Sequence, residues 1–261
     1  TGIPTGFVDL DEMTTGMRPG ELILVAGRPG SGKSVLGANV AVHVACMKQP
    51  TLICSMEMRA RELARRILAC EARVDKDRLK LGRLSSTDWS KLVRATETLS
   101  TLPLWIDDSA SQTVSHIRSR VQRVKRDARG LALVVVDHAH LMEAEGRTNG
   151  DVEKLSQISR GLKLVAMDED VVTLALAQLN RNTEGRSDHR PGLGDLRGSG
   201  SFEQDADAVL FVYRDELYHK ESQAGGMAEI IVAKQRDGTL GTVNLAFLGQ
   251  YSKFANMARS S

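Results

Sequence analysis

The chain holds 261 residues, 41% of them hydrophobic, 26% charged and 4% aromatic, enough to bury the core of one large or two small globular domains. With 35 Lys and Arg against 33 Asp and Glu, the net charge is +2, so no global field marks a nucleic-acid or membrane binder and any basic function is local. The longest apolar run, Leu131 to Val136, is far short of the ~20 residues of a membrane-spanning helix, and the N-terminus lacks a basic-then-apolar leader.

In chain order, β-rich runs stand at Leu22 to Ala26, Thr51 to Ser55, Leu104 to Asp107, Leu131 to Asp137, Val171 to Leu176 and Ala208 to Tyr213. Helical patterns alternate with them. A helix follows from Ser34, and apolar stripes recur at Trp89, Leu92, Val93 and Thr96, at Val114, Ile117, Val121 and Val124, and at Leu155, Ile158, Leu162 and Val165. These stripes are expected to face the core. The continuous apolar run ending at Asp137 fits a central strand of a parallel sheet covered on both faces, so an α/β fold is predicted. Ile230 to Lys234 and Thr242 to Leu248, separated by Arg236, Asp237 and Gly238, predict a β-hairpin. Polar, Gly-rich loops are expected at 145–151, 183–200 and 221–226. Cys46, Cys54 and Cys70, odd in number and without ligand spacing, read as reduced, buried thiols of a cytosolic chain.

The clearest chemical motif is Gly27-Arg28-Pro29-Gly30-Ser31-Gly32-Lys33-Ser34, which fits the phosphate-binding loop between an apolar strand and a helix. Its glycines let backbone amides curl around phosphates, Lys33 neutralises their charge, and the Ser34 hydroxyl suits a Mg²⁺ ion. Asp137, ending an apolar strand, suits the acid that holds Mg²⁺ through water. Glu57 follows the second strand, and position alone leaves two readings open: a base that activates water, or a glutamate welcome at a helix start. Gln178 closes the fifth strand, where an amide can contact a γ-phosphate. His138 and His140 read as polar loop residues rather than metal ligands. The basic run Arg118, Arg120, Arg123, Lys125, Arg126 and Arg129 reads as the solvated outer face of a helix.

Beyond these residues the chain resembles, over nearly its whole length, the C-terminal motor domain of the DnaB-type hexameric replicative helicases. The matching stretches include Thr5-Gly6-Phe7 through Asp11, Ser55-Met56-Glu57-Met58, Gln178-Leu179-Asn180-Arg181, Asp195-Leu196-Arg197, Ser199-Gly200-Ser201, Glu203 to Asp207, Tyr213-Arg214-Asp215-Glu216 and Lys234-Gln235-Arg236. The resemblance implies a RecA-like, doubly wound and mainly parallel sheet with helices on both faces and a C-terminal antiparallel hairpin. It also implies ATP-driven unwinding of DNA, with Glu57 as catalytic base and Gln178 coupling the γ-phosphate to a DNA-contacting loop. That loop corresponds to Asp195 to Gly200, where Arg197, Gly198, Ser199 and Gly200 would hold single-stranded DNA by its phosphates. With few aromatics for base stacking, weak sequence preference is expected.

Lys234 and Arg236 would otherwise be two solvated charges at a hairpin turn. By resemblance they reach into the ATP site of a neighbouring subunit, Arg236 as an arginine finger worth about 10³- to 10⁵-fold in rate. The family implies a hexamer moving 5′ to 3′, with primase and loader partners for the full-length protein, in the cytoplasm of a bacterial or phage-infected cell. Gly198 stands where bacterial members usually carry glutamate, and Gly198 and His138 both resemble phage primase-helicases, which points to a phage-encoded version. Tyr251 and Phe254 match the tail after the last strand, near the nucleotide base or in the core. Residues 1–261 are expected to form a single motor domain, starting at Thr1 without the family's N-terminal collar and linker helix. Two competing readings are a recombinase- or clock-type ATPase of the same core fold and a nucleotide-regulated interaction module; the Asp195 to Asp207 stretch and Lys234-Gln235-Arg236 favour the helicase.

Overall fold

The computed structural model describes residues 2–179, 188–196, 200–219, 221–222, 224–236 and 238–258. The six apolar runs form six parallel strands: β1 (Leu22–Gly27), β2 (Thr51–Ser55), β3 (Leu104–Asp107), β4 (Leu133–Asp137), β5 (Val172–Gln178) and β6 (Ala208–Tyr213). Three antiparallel strands extend the sheet beyond β6: β7 (Met227–Gln235), β8 (Gly241–Leu248) and β9 (Lys253–Asn256). The order across the sheet is β3-β2-β4-β5-β1-β6-β7-β8-β9.

Eight α-helices surround this sheet among the described residues: α1 (Val8–Thr14), α2 (Lys33–Cys46), α3 (Ala60–Ala72), α4 (Lys76–Leu81), α5 (Ser86–Ser100), α6 (Val114–Ala128), α7 (Asp151–Asp168) and α8 (Gly200–Asp205). Because side chains alternate along a strand, each central strand feeds two cores. Ile23 and Val25 of β1 join Leu36, Val40 and Val44 of α2 on one face. Leu22, Leu24 and Ala26 join Ile117 and Val121 of α6 and Ile158 and Leu162 of α7 on the other. Both faces of β1 are therefore dry, which is why its sequence is apolar throughout instead of alternating.

Several expectations need correction. The stripe Trp89, Leu92, Val93 and Thr96 does not face the core as a unit: Trp89 is 59% and Val93 54% exposed, while Leu92 and Ala95 are buried. The Ser85 and Asp88 capping box fixes the start of α5, and Asp88 also pairs with Arg78 at 2.6 Å, so the helix turns its 88–92–95 face inward onto a small cluster with Ala72 and Val74. Cys46 is exposed, and of the three free thiols Cys54 is the fully buried one. The basic run on α6 is not simply solvated. Arg118 pairs with Asp168 at 2.8 Å, Arg120 with Asp107 at 2.7 Å and Lys125 with Glu169 at 3.4 Å, tying the helix to its neighbours. The fourth strand begins at Leu133 and the fifth runs Val172–Gln178, while α3, α4, α8 and β9 had no clear signal in the sequence. The hairpin is formed by β7 and β8, with Val232 opposite Gly241.

Among the described residues no helix is long and apolar enough to cross a membrane. The functional consequence of the topology lies at one edge of the sheet. In register, Gly27 sits beside Gln178 on one side and Val212 on the other, and Ser55 sits beside Asp137. The carboxyl ends of five parallel strands thus converge, which is where open α/β sheets bind ligands.

Candidate functional site

The loop between β1 and α2 makes a tight turn in which the Ser31 amide donates to the Arg28 carbonyl at 3.1 Å. Gly30 and Gly32 have φ of +79° and +100°, a region that penalises any side chain. At Gly32 a Cβ would also meet the Phe254 ring at 2.9 Å, so Phe247 and Phe254 close the loop from below. Gly32 caps the N-terminus of α2, whose first residues are Lys33 and Ser34, and the helix end and the buried Lys33 together favour an anion.

A cleft of about 1000 Å³ opens over this loop, lined by Pro29, Gly30, Lys33, Ser34, Glu57 and Gln178, with Arg59, Arg66 and Arg214 adding positive charge. Its size and charge suit a nucleoside triphosphate. Asp137 is buried at the end of β4, where the Ser34 hydroxyl donates to its carboxylate. Burial, reinforced by Glu57, pushes the Asp137 carboxyl up, against the opposing pull of Ser34, Lys33 and Arg66. Its Oδ1 has no hydrogen-bond partner among the described residues. A buried, half-satisfied carboxylate beside a hydroxyl is the oxygen donor set a Mg²⁺ ion uses.

Glu57 projects from the loop after β2 with its side chain half-exposed, and its Oε2 lies 3.8 Å from His138 Nε2. Burial and the nearby Lys33 push the His138 ring down, so the neighbour of Glu57 is a neutral imidazole at neutral pH. Burial, His138 and Lys33 likewise bring His140 down to about 4. Its Nδ1 accepts the Gln178 backbone N–H at 3.4 Å, which ties the ends of β4 and β5 together. Gln178 itself is exposed at the end of β5, on the rim of the cleft.

Lys234 and Arg236 lie elsewhere. Gln235 and Lys234 pair with Ala208 and Val209 at the start of β6, whereas Val212, near its other end, pairs with Gly27. Ala208 and Val212 are about 13 Å apart at ~3.3 Å per residue, and Arg236 and the phosphate loop extend beyond them in opposite directions. Within one chain Arg236 is thus turned away from the phosphate loop. Its Nε sits 2.8 Å from Asp207 Oδ1 while the side chain remains 66% exposed, and Lys234 Nζ donates to the carbonyls of Glu203 and Ala206 at the end of α8. Arg197, Gly198 and Ser199 lie outside the described residues, and Gly200 is the first residue of α8.

One residue of the site had no assigned role from the sequence. Arg214, just after β6, donates to the Gly30 carbonyl at 3.0 Å, is held by Glu216 and lies 3.8 Å over the Phe247 ring. Its signal was positional: a cation ending a buried strand at the same sheet edge as Gly27.

The family model described as the DnaB-like helicase C-terminal domain matches residues 2–256. The chain belongs to the DnaB-like helicase C-terminal domain family. Replicative DNA helicase DnaB of Geobacillus stearothermophilus is 44% identical over 261 residues, covering 99% of this chain and 57% of its own length. Replicative DNA helicase DnaC of Bacillus subtilis is 43% identical with the same coverages. This DnaB-like chain therefore spans little more than half the length of these relatives. Among solved structures, an ATPase domain determined on its own superimposes with a TM-score of 0.96 at 39% identity, covering 99% of this chain and 92% of that one. A DnaB-like replicative helicase studied with its interactions with primase gives the same TM-score and identity, with 62% of that chain covered. The DnaB-like fold, with its mostly parallel sheet and C-terminal antiparallel strands, agrees with the RecA-like architecture implied by the sequence.

Proposed function

We propose that the chain is the motor domain of a replicative DNA helicase, binding ATP in the cleft at the carboxyl ends of β1, β2, β4 and β5 and using its hydrolysis to translocate on single-stranded DNA. The observation that carries this reading is the convergence of Lys33, Ser34, Glu57, Asp137 and Gln178 on one cleft, in a chain 44% identical to a replicative helicase.

The loop amides of 27–32 cradle the phosphates and Lys33 offsets their charge. Glu57 orients a water and takes its proton as the water oxygen bonds to the γ-phosphorus; the bond to the bridging oxygen breaks and ADP leaves with it. Ser34 and Asp137 would hold Mg²⁺, which when bound neutralises charge on the phosphate oxygens. Gln178, at the rim, senses the γ-phosphate. Because Arg236 points away from its own cleft, it acts on the cleft of a neighbouring copy, consistent with a ring of identical subunits, six by the family's pattern. Residues 197–200 contact the DNA backbone, and primase and loader are partners of the full-length protein.

The test is strand release from a forked duplex with a single-stranded 5′ tail. Release that requires hydrolysable ATP, and that Glu57→Gln abolishes while nucleotide still binds, supports the assignment. Undiminished hydrolysis in Glu57→Gln or in Lys33→Ala contradicts it.

A further inference from the structure

Two contacts leave the phosphate loop for one short segment after β6. The Arg28 guanidinium lies 5.7 Å over the Tyr218 ring, and the Gly30 carbonyl accepts from Arg214. Between Arg214 and Tyr218 the chain is knotted around Asp215, whose carbonyl accepts the Tyr218 and His219 amides at 2.9 Å. The Asp215 carboxylate accepts from the Tyr213 hydroxyl at 2.8 Å and the Ser222 hydroxyl at 2.5 Å, and lies 3.0 Å from the His219 ring. A network satisfied on this many sides holds its members in one geometry.

Tyr218 also grips the stretch that leads to residue 197. The His189 ring stacks on it with centroids 4.5 Å apart and planes 9° apart, and Tyr213 stacks at 5.5 Å. The next residue, Arg190, donates to both carboxylate oxygens of Glu229 at 2.8 and 2.6 Å and lies 5.0 Å over the Tyr213 ring. Further on, the Gly192 amide donates to the Asp195 carboxylate at 2.8 Å and Leu196 is buried in the core. A displacement of His189 is therefore transmitted along 188–196 with little slack. Two of the three tyrosines of an aromatic-poor chain stand here, between the phosphate loop and this stretch.

We propose that Tyr218 is a positioning residue that couples the phosphate loop to residues 188–196 through the Arg28, Tyr218 and His189 stack, a route separate from Gln178. The coupling rests on nucleotide binding at the phosphate loop as proposed above. Nucleotide that reorders Arg28 or Gly30 moves the Tyr218 ring, and the ring moves the stretch entering the proposed DNA loop. Coupling between sites of this kind is typically worth about 5- to 150-fold.

Amide hydrogen exchange of the 261-residue chain, with and without a non-hydrolysable ATP analogue and Mg²⁺, tests this. In the wild type, exchange should slow in the phosphate loop and change at least about fivefold in 188–196. Tyr218→Ala should keep the first response and lose the second, Tyr218→Phe should restore it, and His189→Ala should reproduce the loss in a variant with the Asp215 knot intact. A phosphate loop that is protected while 188–196 is indifferent overturns the inference, as does a wild-type response in both alanine variants. No protection of the wild-type phosphate loop refutes nucleotide binding itself, and the coupling with it.

Discussion

Arg214 donates to the carbonyl of Gly30 at 3.0 Å, so the tip of the phosphate loop is held by a residue 184 positions away in the chain. Glu216 and the Phe247 ring fix the guanidinium in turn. Arg214→Ala should weaken ATP binding by about 10- to 100-fold, the equivalent of one charged hydrogen bond, with little change in unfolding midpoint. Arg214→Lys should not restore affinity, since an ammonium cannot serve Gly30, Glu216 and the ring together. Equilibrium titration with a fluorescent nucleotide measures both.

Asp207 should matter for stability more than for chemistry. Its buried carboxylate accepts the Leu22 amide at 2.8 Å and Lys163 Nζ at 2.7 Å, joining β1, α7 and the start of β6. Asp207→Ala strands Lys163 without its partner and is expected to cost about 3–5 kcal/mol in urea unfolding, the range for breaking a buried pair from one side.

The strands that build the cleft were legible because parallel strands covered on both faces must be apolar throughout, so Leu22 to Ala26 and the run ending at Asp137 announced themselves. Asp137 and Gln178 were legible as polar residues ending such runs. Arg214, Tyr218 and Phe247 were not, because each acts through a partner distant in sequence that only the sheet order brings near. The stripe on α5 misled for a different reason: periodicity marks a helix, but the inward face was set by the Asp88 cap and the small contact at Leu92 and Ala95. At β9, a short edge strand of mixed composition, pairing with β8 rather than propensity decides the structure.

The knot around Asp215 gives a pH dependence of defined sign. Hydrogen bonds from Ser222, Tyr213 and His219 hold its carboxyl at about 2, below the ordinary 3.8. A folded-state value below the unfolded one adds stability that is present above about pH 4 and lost as the pH falls toward 2. The difference in unfolding free energy between wild type and Asp215→Asn should therefore be constant from pH 5 to 7, narrow through that window and close near its lower end, as denaturant melts at stepped pH would show. A difference that stays constant down to pH 2 excludes the charged knot.

The account stands or falls on whether hydrolysis is completed by a second copy of the chain, because Arg236 lies at the opposite end of β6 from the phosphate loop. ATP turnover per subunit, measured over a wide range of protein concentration with and without single-stranded DNA at low salt, tests this most directly. Turnover that climbs with concentration and again with DNA, and that Arg236→Ala lowers by about 10³-fold or more, is the predicted result. Turnover that is flat in concentration, indifferent to DNA and unchanged in Arg236→Ala would mean that each subunit carries a complete site, contrary to the account.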